Sequence, residues 1–165
     1  MRIGAKAIAF VLVGCAATFF ANTGFAAEPS RVVRLTRDGL FKQRPAWSRD
    51  GRQLCFARHE GDAIRLFVMA ADGSGERRLT DRKHPEYDAV WSPDGKRLAF
   101  TSNRDRNYEI YCVDATGANS VNLTNDPAFD HFAAWADDGR LAFVSDRDGG
   151  FEIYVLACRV GIAHH

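Results

Sequence analysis

The sequence is short of the features that mark several common protein classes. Its 165 residues include four cysteines and five prolines, too few for a disulfide scaffold or a proline-rich linker. Charge of one sign is lacking too. Lys and Arg number 22 and Asp and Glu 21, so no basic surplus exists to neutralise a phosphate backbone, which argues against a nucleic-acid partner. Catalytic signatures are missing: there is no G-x-S-x-G elbow, no H-E-x-x-H, no paired C-x-x-C and no phosphate-binding loop. The expectation is a protein that is not an enzyme and carries neither cofactor nor metal.

Long apolar runs are also scarce. The clearest, Ala7 to Phe20, is shorter than the roughly 20 residues a membrane helix needs. Arg2 and Lys6 precede it and the small residues Gly24, Ala26 and Ala27 follow, which is the anatomy of a secretory signal peptide over 1–27. The processed chain, 28–165, then has no transmembrane span. A rival reading takes Leu12-Val13-Gly14-Cys15 as a lipobox-like stretch that would make Cys15 a lipid attachment point. Removing 1–27 leaves Cys55, Cys112 and Cys158, an odd number that cannot all pair within one chain.

What the chain does have is a repeat. WSPDGKRLAFTSNRD from Trp91 returns as WSRDGRQLCFARHEG from Trp47 and as WADDGRLAFVSDRDGG from Trp135, at intervals of 44 residues. The Leu-Thr pairs at 35–36, 79–80 and 123–124 keep the same interval. So nearly do IRLFVM from Ile64, YEIYCV from Tyr108 and FEIYVL from Phe151, the third copy being one residue shorter after Gly139. A period in the forties belongs to a propeller blade or a helical repeat pair. No helical period runs through the repeats, so the blade is the reading that survives.

Each copy reads as four short strands between turn signals. In the middle copy Ala89–Trp91, Arg97–Thr101, Tyr108–Val113 and Ser120–Thr124 are the strands, and Ser92-Pro93-Asp94-Gly95 supplies turn chemistry. The predicted fold class is all-β, with three four-stranded β-propeller blades at about 37–80, 81–124 and 125–165. Trp47, Trp91 and Trp135 are expected to pack between blades. Cys55 stands where other copies have alanine, and Cys112 where they have valine, so both are expected as buried small hydrophobes rather than disulfide partners.

The pattern Leu-Thr, Trp-Ser-Pro-Asp-Gly, Leu-Ala-Phe-x-Ser-x-Arg-Asp and Glu-Ile-Tyr resembles the TolB-type WD40-like propeller repeat. The middle copy carries it through Trp91–Gly95, Ser102, Arg104, Asp105 and Glu109–Tyr111, and the third through Ser145, Arg147, Asp148 and Glu152–Tyr154. The resemblance implies a periplasmic protein of the Tol-Pal kind that binds other envelope proteins or peptides, a peptidoglycan-associated lipoprotein among them. Alternatives from other classes are the propeller portion of a truncated or split prolyl-oligopeptidase-like hydrolase, and a nonfunctional fragment.

Three blades fall short of the four to eight with which propellers generally close. Arg31–Thr36 matches a fourth strand that has no blade of its own, and Cys158–Ile162 makes a poor fourth strand for the last blade. Two readings follow: half of a six-bladed ring completed by a second copy, or a partial propeller from a longer protein.

Framework residues repeat while the loops before each first strand vary, and variable loops on a repeated scaffold are where binding sites are sought. The candidates there are His84, Glu86, Tyr87, Asp88, Asp126, Asp130 and His131. Asp94, Asp105 and Glu109, with their third-copy counterparts, read instead as turn formers and partners of Arg104 and Arg147.

Overall fold

The computed structural model describes residues 31–80 and 84–158. The leader at 1–27, Cys15 and the positions after Cys158 lie outside the described residues. The described residues from Arg34 onward belong to one compact unit, in which every regular element is a strand.

The first blade comprises β1 (Lys42–Trp47), β2 (Gln53–Glu60), β3 (Ala63–Ala70) and β4 (Arg77–Arg78). The second comprises β5 (Glu86–Trp91), β6 (Arg97–Ser102), β7 (Glu109–Asp114) and β8 (Val121–Asn122). The third contains β9 (His131–Trp135), β10 (Arg140–Ser145) and β11 (Glu152–Ala157). Within each sheet the strands neighbour in chain order and pair antiparallel. The first strands of successive blades approach one another, β1 with β5 and β5 with β9. The sheets therefore radiate from a shared inner edge.

The Trp-Ser-x-Asp-Gly signature makes the turn after the first strand. Ser92 Oγ donates to Asp94 at 2.6 Å and accepts from the Arg97 amide at 3.0 Å, while the Lys96 amide donates to Asp94 at 3.0 Å. Gly95 takes a φ of 68°, the left-handed region glycine enters without a side-chain clash. Ser48 and Asp50 repeat these contacts in the first blade. In the third blade Ala136 replaces the serine, and the turn keeps its Asp138 contact to the Arg140 amide at 3.1 Å.

The core lies between sheets. Cys55, Ala57, Leu66 and Val68 of the first blade pack with Leu79 against Trp91, Leu98, Phe100, Tyr111 and Val113 of the second. Ala99 and Ile110 on the second blade's other face meet Ala133, Leu141 and Phe143 of the third. Cys55 and Cys112 are free and buried, and Cys158 is free and half-buried. Burial pushes the Cys55 thiol up to about 12 and the Cys112 thiol up to about 11.

Two expectations meet a different picture within the single chain. Arg31–Thr36 forms no strand here, where β3 already has β4 as its fourth strand. Leu35 instead packs on Leu54, Phe56, Phe67 and Met69. The tryptophans also differ. Trp91 is 7% exposed and its indole N–H donates to the Ala46 carbonyl at 3.2 Å, whereas Trp47 is 54% exposed. Burial of this position depends on a preceding blade, and among the described residues none precedes the first.

Candidate functional site

One position in each first strand breaks the pleat. Arg44, Asp88 and Phe132, one repeat apart, adopt φ values of 53°, 54° and 58°. The pairing slips beside each, between Gln43 and Ala46, between Tyr87 and Val90, and opposite the third between Ala142 and Val144. These are β-bulges, and a left-handed non-glycine residue costs about 1 kcal/mol that the surrounding sheet must hold in place. The bulged residues meet. Arg44 Nε lies 3.1 Å from the Asp88 carboxylate, and the guanidinium sits 5.8 Å from the Phe132 ring centre. A cavity of about 260 Å³ opens beside them, lined also by Pro45, Val90 and Ala133.

A larger cup of about 390 Å³ adjoins Asp88 and Phe132, between the second and third blades. Tyr87, Tyr108 and Phe129 form one wall, with ring centres 6.2 and 5.8 Å apart in succession. Phe132, His131 and Phe151 form the other, at 4.2 and 5.6 Å. Tyr108 is placed by the turn leading into β7, where Asn107 donates to the Asp126 and Ala128 carbonyls at 2.6 and 2.9 Å and so ties down the loop carrying Phe129. Thr101 of β6 lies beneath, buried, with no hydrogen-bond partner for its hydroxyl. Burial raises the Tyr87 phenol above its ordinary range, with the neighbouring Tyr108 and Asp88 adding to the shift. The cup is thus an apolar, ring-lined concavity with one carboxylate and one imidazole at its wall, a surface suited to holding a side chain rather than to bond-making chemistry.

The seven sequence candidates separate. Tyr87, Asp88 and His131 line the cup. Glu86 and Asp130 turn inward: both are fully buried, and they are ion-paired to Arg104 at 2.7 Å and to Arg147 at 3.1 Å. Arg104 also donates to Ser102 and lies 4.0 Å from the Tyr111 ring centre, while the Tyr111 hydroxyl donates to Asp105. Ser145, Arg147, Tyr154 and Asp148 repeat that arrangement. The Ser-x-Arg-Asp and Tyr motifs are therefore the internal bracing of a blade. Asp126 shapes a turn, accepting from the Ala128 amide at 3.0 Å. His84 is exposed in a bend and does not line the cup. Among the described residues no group of three or more His, Cys, Asp and Glu is placed to hold a metal ion. The sequence reading passed over Tyr108, Phe129, Phe132 and Phe151. The available signal was that ring-bearing positions crowd around 129–132 and recur at 108 and 151.

Radiating antiparallel sheets of this order, repeated at a fixed interval, define a β-propeller repeat protein. Its second and third repeats are of the TolB type: residues 88–165 match the family described as the TolB beta propeller domain. The structure is similar to that of TolB from Acinetobacter baumannii, with a TM-score of 0.67, 25% identity, and coverage of 78% of this chain and 33% of that one. A puromycin-hydrolyzing peptidase of Mycobacterium tuberculosis shares the fold, with a TM-score of 0.58 and 22% identity over 70% of this chain and 20% of that one. A stretch of 38 residues, 22% of this chain, is 50% identical to the uncharacterized peptidase YuxL of Bacillus subtilis (strain 168) and covers 6% of it. The chain thus spans a third of that TolB chain and smaller parts of the two peptidases.

Proposed function

We propose that this protein is a TolB-like binding module of the bacterial periplasm, exported through its leader, which holds a segment of another envelope protein in the aromatic cup. The cup carries the reading. Phe129, Phe132 and Phe151 are large rings left substantially exposed around a concavity, and exposed apolar surface of this kind marks interaction sites. The TolB likeness makes a peptidoglycan-associated lipoprotein the first partner to try. The test is titration of that lipoprotein against the processed chain and against the Phe132→Ala/Phe151→Ala variant. Loss of about tenfold or more in affinity is expected for ring anchors of this kind. Equal binding by both proteins would remove the cup from the function.

A second reading, the propeller part of a peptidase, draws on the likeness to the two peptidases. The cup would then screen substrates for a hydrolase domain outside this chain. Hydrolase activity restored to such a domain by adding this protein would favour it.

A further inference from the structure

We infer that the cup receives a cationic side chain, arginine or lysine, from the partner segment; this rests on the protein-segment reading above. The reason is a regularity within the molecule. Elsewhere three of its aromatic pairs, Phe56 with Phe67, Phe100 with Tyr111 and Phe143 with Tyr154, carry an arginine. Arg58 lies 3.6 Å from the Phe67 ring centre. Arg104 lies 4.0 Å from Tyr111 and 5.5 Å from Phe100. Arg147 lies 4.8 Å from Tyr154 and 5.2 Å from Phe143. In the cup, Arg44 approaches Phe132 alone. No described arginine or lysine lies over Tyr87, Tyr108, Phe129 or Phe151. Ring faces carry negative potential, and several converging faces attract a cation more strongly than one does, most of all where water is partly excluded.

The surroundings favour the same charge. Asp88 stands in the wall, and its carboxylate is shared with one guanidinium at 3.1 Å, which leaves acceptor sites for a second. Thr101 adds a hydroxyl without a partner at the base. An arginine stem would lie along the phenyl surfaces with its planar head against the rings, as the Arg104 guanidinium lies against Tyr111 and Phe100. A carboxylate side chain would meet ring faces and Asp88, both repulsive.

The experiment uses the processed chain and four short peptides, blocked at both ends and alike except for a central arginine, citrulline, phenylalanine or leucine. Citrulline keeps the shape of arginine without its charge. Binding is followed through the tyrosine ring resonances. The arginine peptide is expected to shift Tyr87 and Tyr108 and to bind roughly fivefold or more tighter than the citrulline peptide. Phe151→Leu, at a site 63% exposed and so without effect on folding, should weaken the arginine peptide alone. Tyr108→Phe should retain binding and Tyr108→Leu should lose it. If arginine and citrulline bind alike, or phenylalanine or leucine binds best, the cationic inference is overturned and the protein-segment reading stands. If no peptide moves the cup resonances at millimolar concentration, both fall.

Discussion

At the scale of single residues, the distinction that matters is between charges inside a blade and charges on its rim. Glu86 is fully buried and Arg104 keeps 12% of its side-chain exposure, whereas Arg140 and Asp138 are more than half exposed at 2.8 Å. Both are ion pairs, but their energetic weights differ. Removing one partner of a buried pair strands the other charge and costs about 3–5 kcal/mol. An exposed pair contributes about 0–1 kcal/mol. Arg104→Met should therefore lower stability by about 3 kcal/mol in urea denaturation, and Arg140→Met by less than about 1. Equal effects would mean that the Thr80 hydroxyl, which also donates to Glu86, holds the carboxylate without Arg104. The first blade reverses the charges at these two repeat positions, with Lys42 and Glu60, and builds a different bracket. There Glu60 gathers Arg58, Arg65 and Arg78. The Glu86 and Asp130 roles were legible in principle, since the acids recur one repeat apart and their arginines very nearly so. Reading them as loop acids missed this because the loop-to-strand boundary falls at those residues.

At the scale of elements, the turn glycines are not equivalent. Gly95 and Gly117 have φ values of 68° and 93°, and an added Cβ at Gly95 would meet nothing within 4 Å. At Gly117 it would overlap the Leu79 carbonyl oxygen, because the segment after β4 crosses directly beneath the next blade's outer turn. Gly73 stands in the same relation to the Leu35 carbonyl, at 3.1 Å. Gly95→Ala should cost about 1 kcal/mol for the left-handed backbone alone. Gly117→Ala should cost about 3 kcal/mol, because the overlap falls on backbone and must be relieved by moving the blades apart. Urea midpoints of the two variants, compared with equal slopes, decide it. The Leu-Thr marker thereby gains its physical meaning, since Leu79 joins the core between two sheets. Strands, turns and blade order could be read from the sequence because alternation and glycine placement are side-chain signals. The bulges at Arg44, Asp88 and Phe132 could not. Their shared feature is a backbone angle, and the three side chains have nothing in common. The cup was hidden for the same reason, since those bulges set where its walls meet.

At the scale of the whole molecule, the third blade's outer face decides how the protein behaves in solution. Ile153 and Val155 are 77% and 59% exposed, while their counterparts Leu66 and Val68, and Ile110 and Cys112, are buried beneath the next blade. Among the described residues no blade covers the third. In the first blade the positions of Leu98, Phe100, Tyr111 and Val113 are taken by Leu54, Phe56, Phe67 and Met69, which are already buried within one copy. Leu35 shares that first face much as Leu79 shares the junction between the first two blades. A second copy would offer the third blade the kind of surface it meets elsewhere, with Trp47 at the rim, once the segment carrying Leu35 gives way. Burying a side chain the size of isoleucine or valine contributes about 1.5–3 kcal/mol, and two such residues at each of two junctions work against an association cost of similar size. Light scattering of the processed chain over a range of concentrations should give twice the chain mass. Ile153→Asp/Val155→Asp should give the single-chain mass, with the fold unchanged because both sites are exposed within one copy. A compact wild-type monomer at high micromolar concentration would show that this face is not closed by a second copy, and the ring of two half-propellers would be abandoned.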